Sequence, residues 1–277
     1  MDIGCCVNML PKEQGDPGLS YAPAIKRAGF DYIELPIAQV ITLSAVQFDS
    51  ARSLLRELAL PVRATNNFFS SDVRLIGPKA DKGLVRARYT HALEWAAQLG
   101  AKYAVFGSPW AKLRPEDISE EQAFDELAAW CAEFGNEAAK QDLTLAIEPN
   151  NRTETNMINT FSQAVALAKA VNHPNVSCLQ DYFHLGMERD SVDSMLEYGK
   201  DWLVHTHFAR IEKRGFPRAM SEDPGYTDFF NALRAVGYDG GVSMEGFPLS
   251  RESFPKEAAA TCAFLRTAAD LRFSPKG

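Results

Sequence analysis

Four ionisable residues stand where short apolar runs end. Glu148 follows Leu145-Ala146-Ile147, Asp181 follows Val176 to Gln180, His207 ends the run from Leu203, and Glu245 follows Val242-Ser243-Met244. A lone glutamate in such a place is usually a solvated loop residue, and a lone histidine is usually a hydrogen-bonded core residue. Four in four consecutive runs call for a common cause. Clustered carboxylates repel and raise one another's pKa unless a cation sits among them. Three carboxylates and one imidazole suit a hard to borderline divalent ion, with Mn²⁺ favoured and Mg²⁺ or Co²⁺ open. No cysteine joins the set, which argues against structural zinc. Glu148, Asp181, His207 and Glu245 are therefore read as metal ligands.

These residues converge only if the elements before them share one rim. Apolar runs at residues 3–9, 30–35, 61–69, 102–107, 143–147, 176–179, 202–207 and 241–244 read as strands. Helical spacing follows each, at 21–28, 45–58, 84–99, 119–140, after Thr160, and at 191–198, 226–236 and 255–271. Ser119 with Gln122, and Thr160 with Gln163, have capping-box spacing. Strict strand-then-helix alternation argues for a parallel sheet. Eight units match a (β/α)8 TIM barrel, a single domain over residues 1–277, in which site residues lie at the C-terminal ends of strands. An open doubly wound sheet usually carries a Gly-rich turn after its first strand, and Leu10-Pro11-Lys12 is not one. Eight units use nearly the whole chain, so short strand-to-helix loops are expected to set specificity. His205 is expected to face away from His207 and pack between barrel and helix.

The chain has 277 residues, 46% hydrophobic and 23% charged, so it can bury a full core without disulfides or metal. Its net charge of -7 and lack of a basic stripe argue against a nucleic-acid partner. Its five cysteines form no CxxC pair and suggest a reducing, cytoplasmic setting. No basic-then-apolar leader and no long apolar run appears, so no membrane partner is expected.

Glu148-Pro-Asn-Asn-Arg152, Asp181-Tyr-Phe-His184, His205-Thr-His207 and Met244-Glu245-Gly246 resemble the sugar isomerase/epimerase superfamily, with its xylose isomerase-like TIM barrel. The pattern is similar above all to the D-tagatose/D-psicose 3-epimerase group, over essentially the whole chain. Gly29 to Glu34 and Gly107-Ser108-Pro109-Trp110 belong to the same likeness. The resemblance implies a divalent-metal-dependent ketose epimerase or isomerase acting on a small sugar. It implies Glu148, Asp181, His207 and Glu245 as ligands, and Glu148 and Glu245 also as the catalytic acid/base pair. It implies His184, Glu154 and Arg214 as substrate contacts, with Lys213 a rival for the role of Arg214. Glu34, Asn67, Trp110 and Phe247 are candidate pocket walls. A homo-oligomer, dimer or tetramer, is also implied.

Such a site can take a proton from the carbon beside a carbonyl, pass through an enediolate, and return a proton from the other face. Return to the neighbouring carbon gives a 1,2-isomerase instead, and both outcomes stay open. A dehydratase or hydroxypyruvate isomerase of the superfamily is the alternative. A Pro-Gly pair after the Glu148 motif would favour the latter, and this chain has Arg152 to Asn156 there. An apurinic endonuclease needs a histidine-rich metal cluster and a basic face, against five histidines and a charge of -7. A non-catalytic sugar-binding protein would not need the acid/base pair.

Overall fold

The computed structural model describes residues 1–66 and 68–271. Eight strands alternate with helices: β1 Asp2–Cys6, α1 Ala22–Ala28, β2 Tyr32–Pro36, α2 Ile37–Val40, α3 Ala45–Glu57, β3 Val62–Asn66, α4 Lys82–Gln98, β4 Tyr103–Phe106 and α5 Glu120–Lys140. There follow β5 Thr144–Ile147, α6 Phe161–Val171, β6 Val176–Asp181, α7 Tyr182–Glu188, α8 Asp193–Trp202, β7 Leu203–Phe208, α9 Gly225–Ala235, β8 Gly241–Met244 and α10 Phe254–Asp270. All neighbouring strands are parallel, and β8 pairs with β1 to close the barrel. The expected (β/α)8 barrel is thus the observed fold.

Strand alternation divides the core into two layers. Ile3, Cys5, Ile33, Leu35, Leu145, Ile147, Val242 and Met244 face outward and pack with the helices in one large apolar cluster. Ala64, Tyr103, Val105, Ala146 and Leu179 form a small apolar plug inside the barrel. One step along the same inward-facing rows come Asn66, Gly107, Glu148 and Asp181. The plug therefore floors the β3–β6 side of the barrel, and those four residues stand directly on it.

Helix ends follow the local sequence. Thr160 and Gln163 form the reciprocal capping box that starts α6, and Ser44 with Gln47 does the same for α3. Ser119 caps α5 through the Gln122 N–H, but the Gln122 side chain bonds Glu126 instead, so only half of the expected box forms.

Several expectations change. β1 stops at Cys6 and β3 at Asn66, short of residues 9 and 69, so Asn8 belongs to a loop. β6 runs through Asp181, and α7 starts at the next residue without a loop. The strand-to-helix connections are not uniformly short: residues 209–224 after β7 contain two 3-10 turns. Asn67 lies outside the described residues. Among the described residues, no helix is long and apolar enough to cross a membrane.

Candidate metal centre and active site

Glu148 leaves β5, Asp181 ends β6, His207 lies on β7, and Glu245 follows β8. Each sits on an inward-facing row, so four consecutive strands deliver four side chains to the barrel axis. Their donor atoms all lie within 4.8 Å of one another, and all four residues are buried. His207 Nδ1 is 3.0 Å from Glu148 Oε1 and 3.2 Å from Glu245 Oε2.

Arg214 is the cation set against this cluster. Its Nη2 lies 2.6 Å from Glu245 Oε2 and 3.0 Å from Asp181 Oδ2, and it is buried over the Phe183 ring. Lys213 is exposed, so Arg214, not Lys213, enters the site. The Arg214 carbonyl accepts the Phe247 N–H at 2.8 Å, which ties the β7 loop to the β8 loop.

The electrostatics reflect crowding. Burial pushes the Asp181 carboxyl up to about 7, against the Arg214 charge and with help from Glu245 and Glu148. Burial would lower the His207 pKa, but Glu245, Glu34 and Glu148 together hold it well above the usual histidine value. Burial alone would raise Glu245, and the charges of His207 and Arg214 outweigh it and hold the carboxyl low. Three buried carboxylates beside one guanidinium and one imidazole form a cradle short of positive charge. Oxygen-rich donors with one imidazole fit a divalent ion of the hard to borderline kind.

Neutral donors from the other half of the barrel hold Glu245. Its Oε1 accepts from Asn8 Nδ2 at 2.9 Å, Asn66 Nδ2 at 3.0 Å and Cys6 Sγ at 3.5 Å. Glu148 is held from behind. Lys112, fully buried in the 3-10 turn Pro109–Lys112, donates to the Glu148 carbonyl at 2.6 Å. Burial lowers the Lys112 ammonium to about 8. Gly107 faces Glu148 directly: a Cβ there would lie 2.1 Å from Glu148 Oε2.

A cavity of about 300 Å³ opens over the cluster, lined in part by Asn8, Trp110, Glu148, Glu154, His184, Arg214 and Glu245. His184 accepts the Asn151 N–H at Nδ1, 3.1 Å, and its Nε2 meets Asn150 Nδ2 at 3.1 Å. Burial, then Arg214, keeps that imidazole well below the ordinary histidine pKa. Glu154 lies 3.7 Å from Arg214 Nη1 and is raised by burial. Trp110 is half exposed at the lip, and Phe247, also half exposed, stands outside the cavity lining. A larger cavity of about 480 Å³ lies at the opposite face, between the C-terminal ends of α3 and α4. Leu55, Leu60, Leu99, Arg52 and Arg56 line it without any cluster of acids or histidines, so the chemistry belongs to the smaller one.

Two sequence expectations are corrected. His205 does not face away from His207: residues two apart on a strand share a face, and both imidazoles point into the barrel. Glu34 is no pocket wall; it lies beneath the cluster, fully buried between the two histidines. Lys112, Asn66 and the bonding of Asn8 to Glu245 were not foreseen. Asn150, two residues after Glu148 in the same motif, lines the cavity and meets His184.

Residues 22–268 match the family model described as xylose isomerase-like TIM barrel. The chain belongs to that family. It is 27% identical over 256 residues to a ketose 3-epimerase of Arthrobacter globiformis, covering 90% of this chain and 85% of the relative. It is 28% identical over 230 residues to an L-ribulose 3-epimerase of Methylomonas sp., covering 80% and 75%. The structure of D-psicose 3-epimerase with D-tagatose from Clostridium cellulolyticum superposes with a TM-score of 0.85 at 20% identity, over 98% of this chain and all of that one. The chain is thus closely related to the 3-epimerases of ketoses. Its cluster of glutamate, aspartate and histidine is consistent with the mechanism of such enzymes.

Proposed function

We propose that the protein is a divalent-metal-dependent ketose epimerase that inverts a carbon beside a carbonyl by proton removal and return. The observation that carries this is the convergence of two glutamates, Glu148 and Glu245, from β5 and β8, with Asp181 and His207 under a polar cavity. Those four residues would hold the ion. When bound, it supplies Lewis-acid polarisation that acidifies a C–H beside a carbonyl.

The chain's own residues do the rest. Glu148 and Glu245, separated in the barrel by β6 and β7, are the two carboxylates that would work on opposite faces of a substrate. Donors from Asn8 and Asn66 fix Glu245, and Gly107 leaves Glu148 its room. His184, Arg214 and Glu154 supply polar groups along the cavity for hydroxyl oxygens, while Trp110 shields its mouth. Mn²⁺ is the ion we assign, since three oxygens and one imidazole nitrogen suit it better than the harder Mg²⁺. All five cysteines are free and buried, which supports a reducing, cytoplasmic setting. The exposed Trp110, Phe247 and Leu249 on rim loops support a homo-oligomer, dimer or tetramer.

The test is turnover of a panel of free and phosphorylated ketoses in D₂O with Mn²⁺. Deuterium entering at C3 is expected. Label at C1 or C2 would make the enzyme a 1,2-isomerase. The panel should include 3-keto-glycosides, because the chain is also 25% identical to the 3-dehydro-D-guloside 4-epimerase of Escherichia coli over 92% of that protein. Glu245→Gln should lower turnover by ~10²–10⁴-fold, the usual contribution of a positioned acid/base group. Unchanged turnover would remove Glu245 from the mechanism.

A further inference from the structure

Beneath the metal cluster lies a second set of buried polar groups that the proposed chemistry does not use. Glu34 on β2 is fully buried. Its Oε2 is 3.0 Å from His207 Nε2, and its Oε1 meets both His205 Nε2 and Ser243 Oγ. Tyr32 OH lies 2.6 Å from Ser243 Oγ, and the His205 ring stacks on Tyr103 at 5.6 Å between centroids. Burial of a carboxylate is costly unless several donors meet it, and here two imidazoles and a hydroxyl do. Both carboxylate oxygens are engaged, so the group cannot turn.

Resting on the reading of His207 as a metal ligand, the geometry points to Glu34 as a positioning residue for that ligand. An imidazole has two distinct nitrogens, and the partner of one decides what the other can do. An ionised carboxylate only accepts, so Glu34 demands a proton on His207 Nε2. That leaves Nδ1, which faces Glu148 and Glu245 at 3.0 and 3.2 Å, as the nitrogen free to donate a lone pair. Glu34 also holds the ring plane, because its own Oε1 is pinned from β7 by His205 and from β8 by Ser243. Partners of this kind, standing behind a ligating histidine, fix its tautomer and raise its basicity.

Glu34, His205 and His207 also place three donor atoms close enough to hold an ion of their own. The distances favour direct hydrogen bonds instead. The Ser243 hydroxyl, itself bonded to Tyr32, meets Glu34 Oε1 as a further donor and completes a hydrogen-bonded set, and the count of bound ions separates the two arrangements.

The experiment is Mn²⁺ titration by calorimetry of the wild type, Glu34→Gln and His207→Asn. Long-range ¹H–¹⁵N spectra of the Mg²⁺-loaded wild type accompany it. One ion per wild-type chain, a ten- to hundredfold weaker affinity in Glu34→Gln at unchanged stoichiometry, and a His207 protonated at Nε2 are expected. Equal affinity in Glu34→Gln overturns the inference, as does a His207 protonated at Nδ1 in the loaded protein. Two ions in the wild type and one in Glu34→Gln would make Glu34 a ligand and overturn it as well. Weakening in His207→Asn without weakening in Glu34→Gln refutes the positioning role alone. No binding by the wild type, or none lost in His207→Asn, refutes the metal reading and the relay with it. If Glu34→Gln does not fold, the wild-type spectrum still decides.

Discussion

Gly107 has no side chain, and Glu148 occupies the space that one would take. An alanine there would put its Cβ 2.1 Å from Glu148 Oε2, so the carboxylate must swing off the axis. Gly107→Ala should therefore keep the fold while weakening Mn²⁺ affinity by about tenfold or more, a change of ~1.4 kcal/mol. Calorimetric titration of the two proteins checks this, and equal affinity would mean that Glu148 does not ligate. At this scale the sequence was partly legible. Glu148, Asp181, His207 and Glu245 announced themselves because each ends an apolar run. Lys112 did not, because its function lies in a long stem bent back to a carbonyl 36 residues away. Asn8 and Asn66 were hidden for a similar reason, since they meet Glu245 only across the closed barrel. His205 shares the inward face with His207 because the two lie two residues apart, and Glu34 reaches both only across the closed barrel.

Among the elements, β1 and β2 show how a surface residue sets register. Asp31, just before β2, accepts the Ile3 N–H at 2.8 Å and is paired with Arg266 of α10 at 2.8 Å. Partial burial would raise its carboxyl, but Arg266 and the Ile3 N–H outweigh that and hold it below the ordinary aspartate value. A carboxyl depressed in the folded state stabilises the fold above its unfolded pKa and loses that contribution as pH falls through the folded one. Asp31→Asn should thus be less stable than wild type at pH 7, with the gap closing as pH falls below about 4. Urea midpoints at pH 7 and pH 3 measure it; a gap that widens in acid would reverse the assignment. Element order, type and most boundaries were readable, since period-2 and period-3.6 patterns alternate cleanly. The exceptions have local causes. β1 and β3 were overextended because apolar residues continue past them into loops that are themselves buried, such as Val7 and Phe68. α7 has no separate sequence signal because it begins directly after the last strand residue, with Asp181 accepting the Phe183 N–H as its cap.

At the scale of the molecule, the cluster brings together side chains carried by four consecutive strands, β5 to β8. An ion that binds the native barrel and not the unfolded chain stabilises it by mass action, by about 2.7 kcal/mol at a free concentration one hundred times the Kd. Saturating Mn²⁺ should therefore raise the Tm by several degrees, and EDTA should reverse the gain. A Tm indifferent to both would count against a site built from β5 to β8. The barrel itself was the most legible feature, because eight repeats of one pattern leave little choice of topology. The polarity of its interior beneath the cluster was the least legible, since it arises only when distant strands face one another.

The seam between β1 and β8 has a consequence for how the chain is made. Cys6 and Asn8 leave the ribosome first, while Glu245, which they hold, follows 239 and 237 residues later. Glu148, Asp181 and His207, the other three residues of the proposed ligand set, are all made before it. Glu245 follows β8, the strand that pairs with β1, so the fourth residue of the proposed ligand set and the strand that closes the ring are synthesised together.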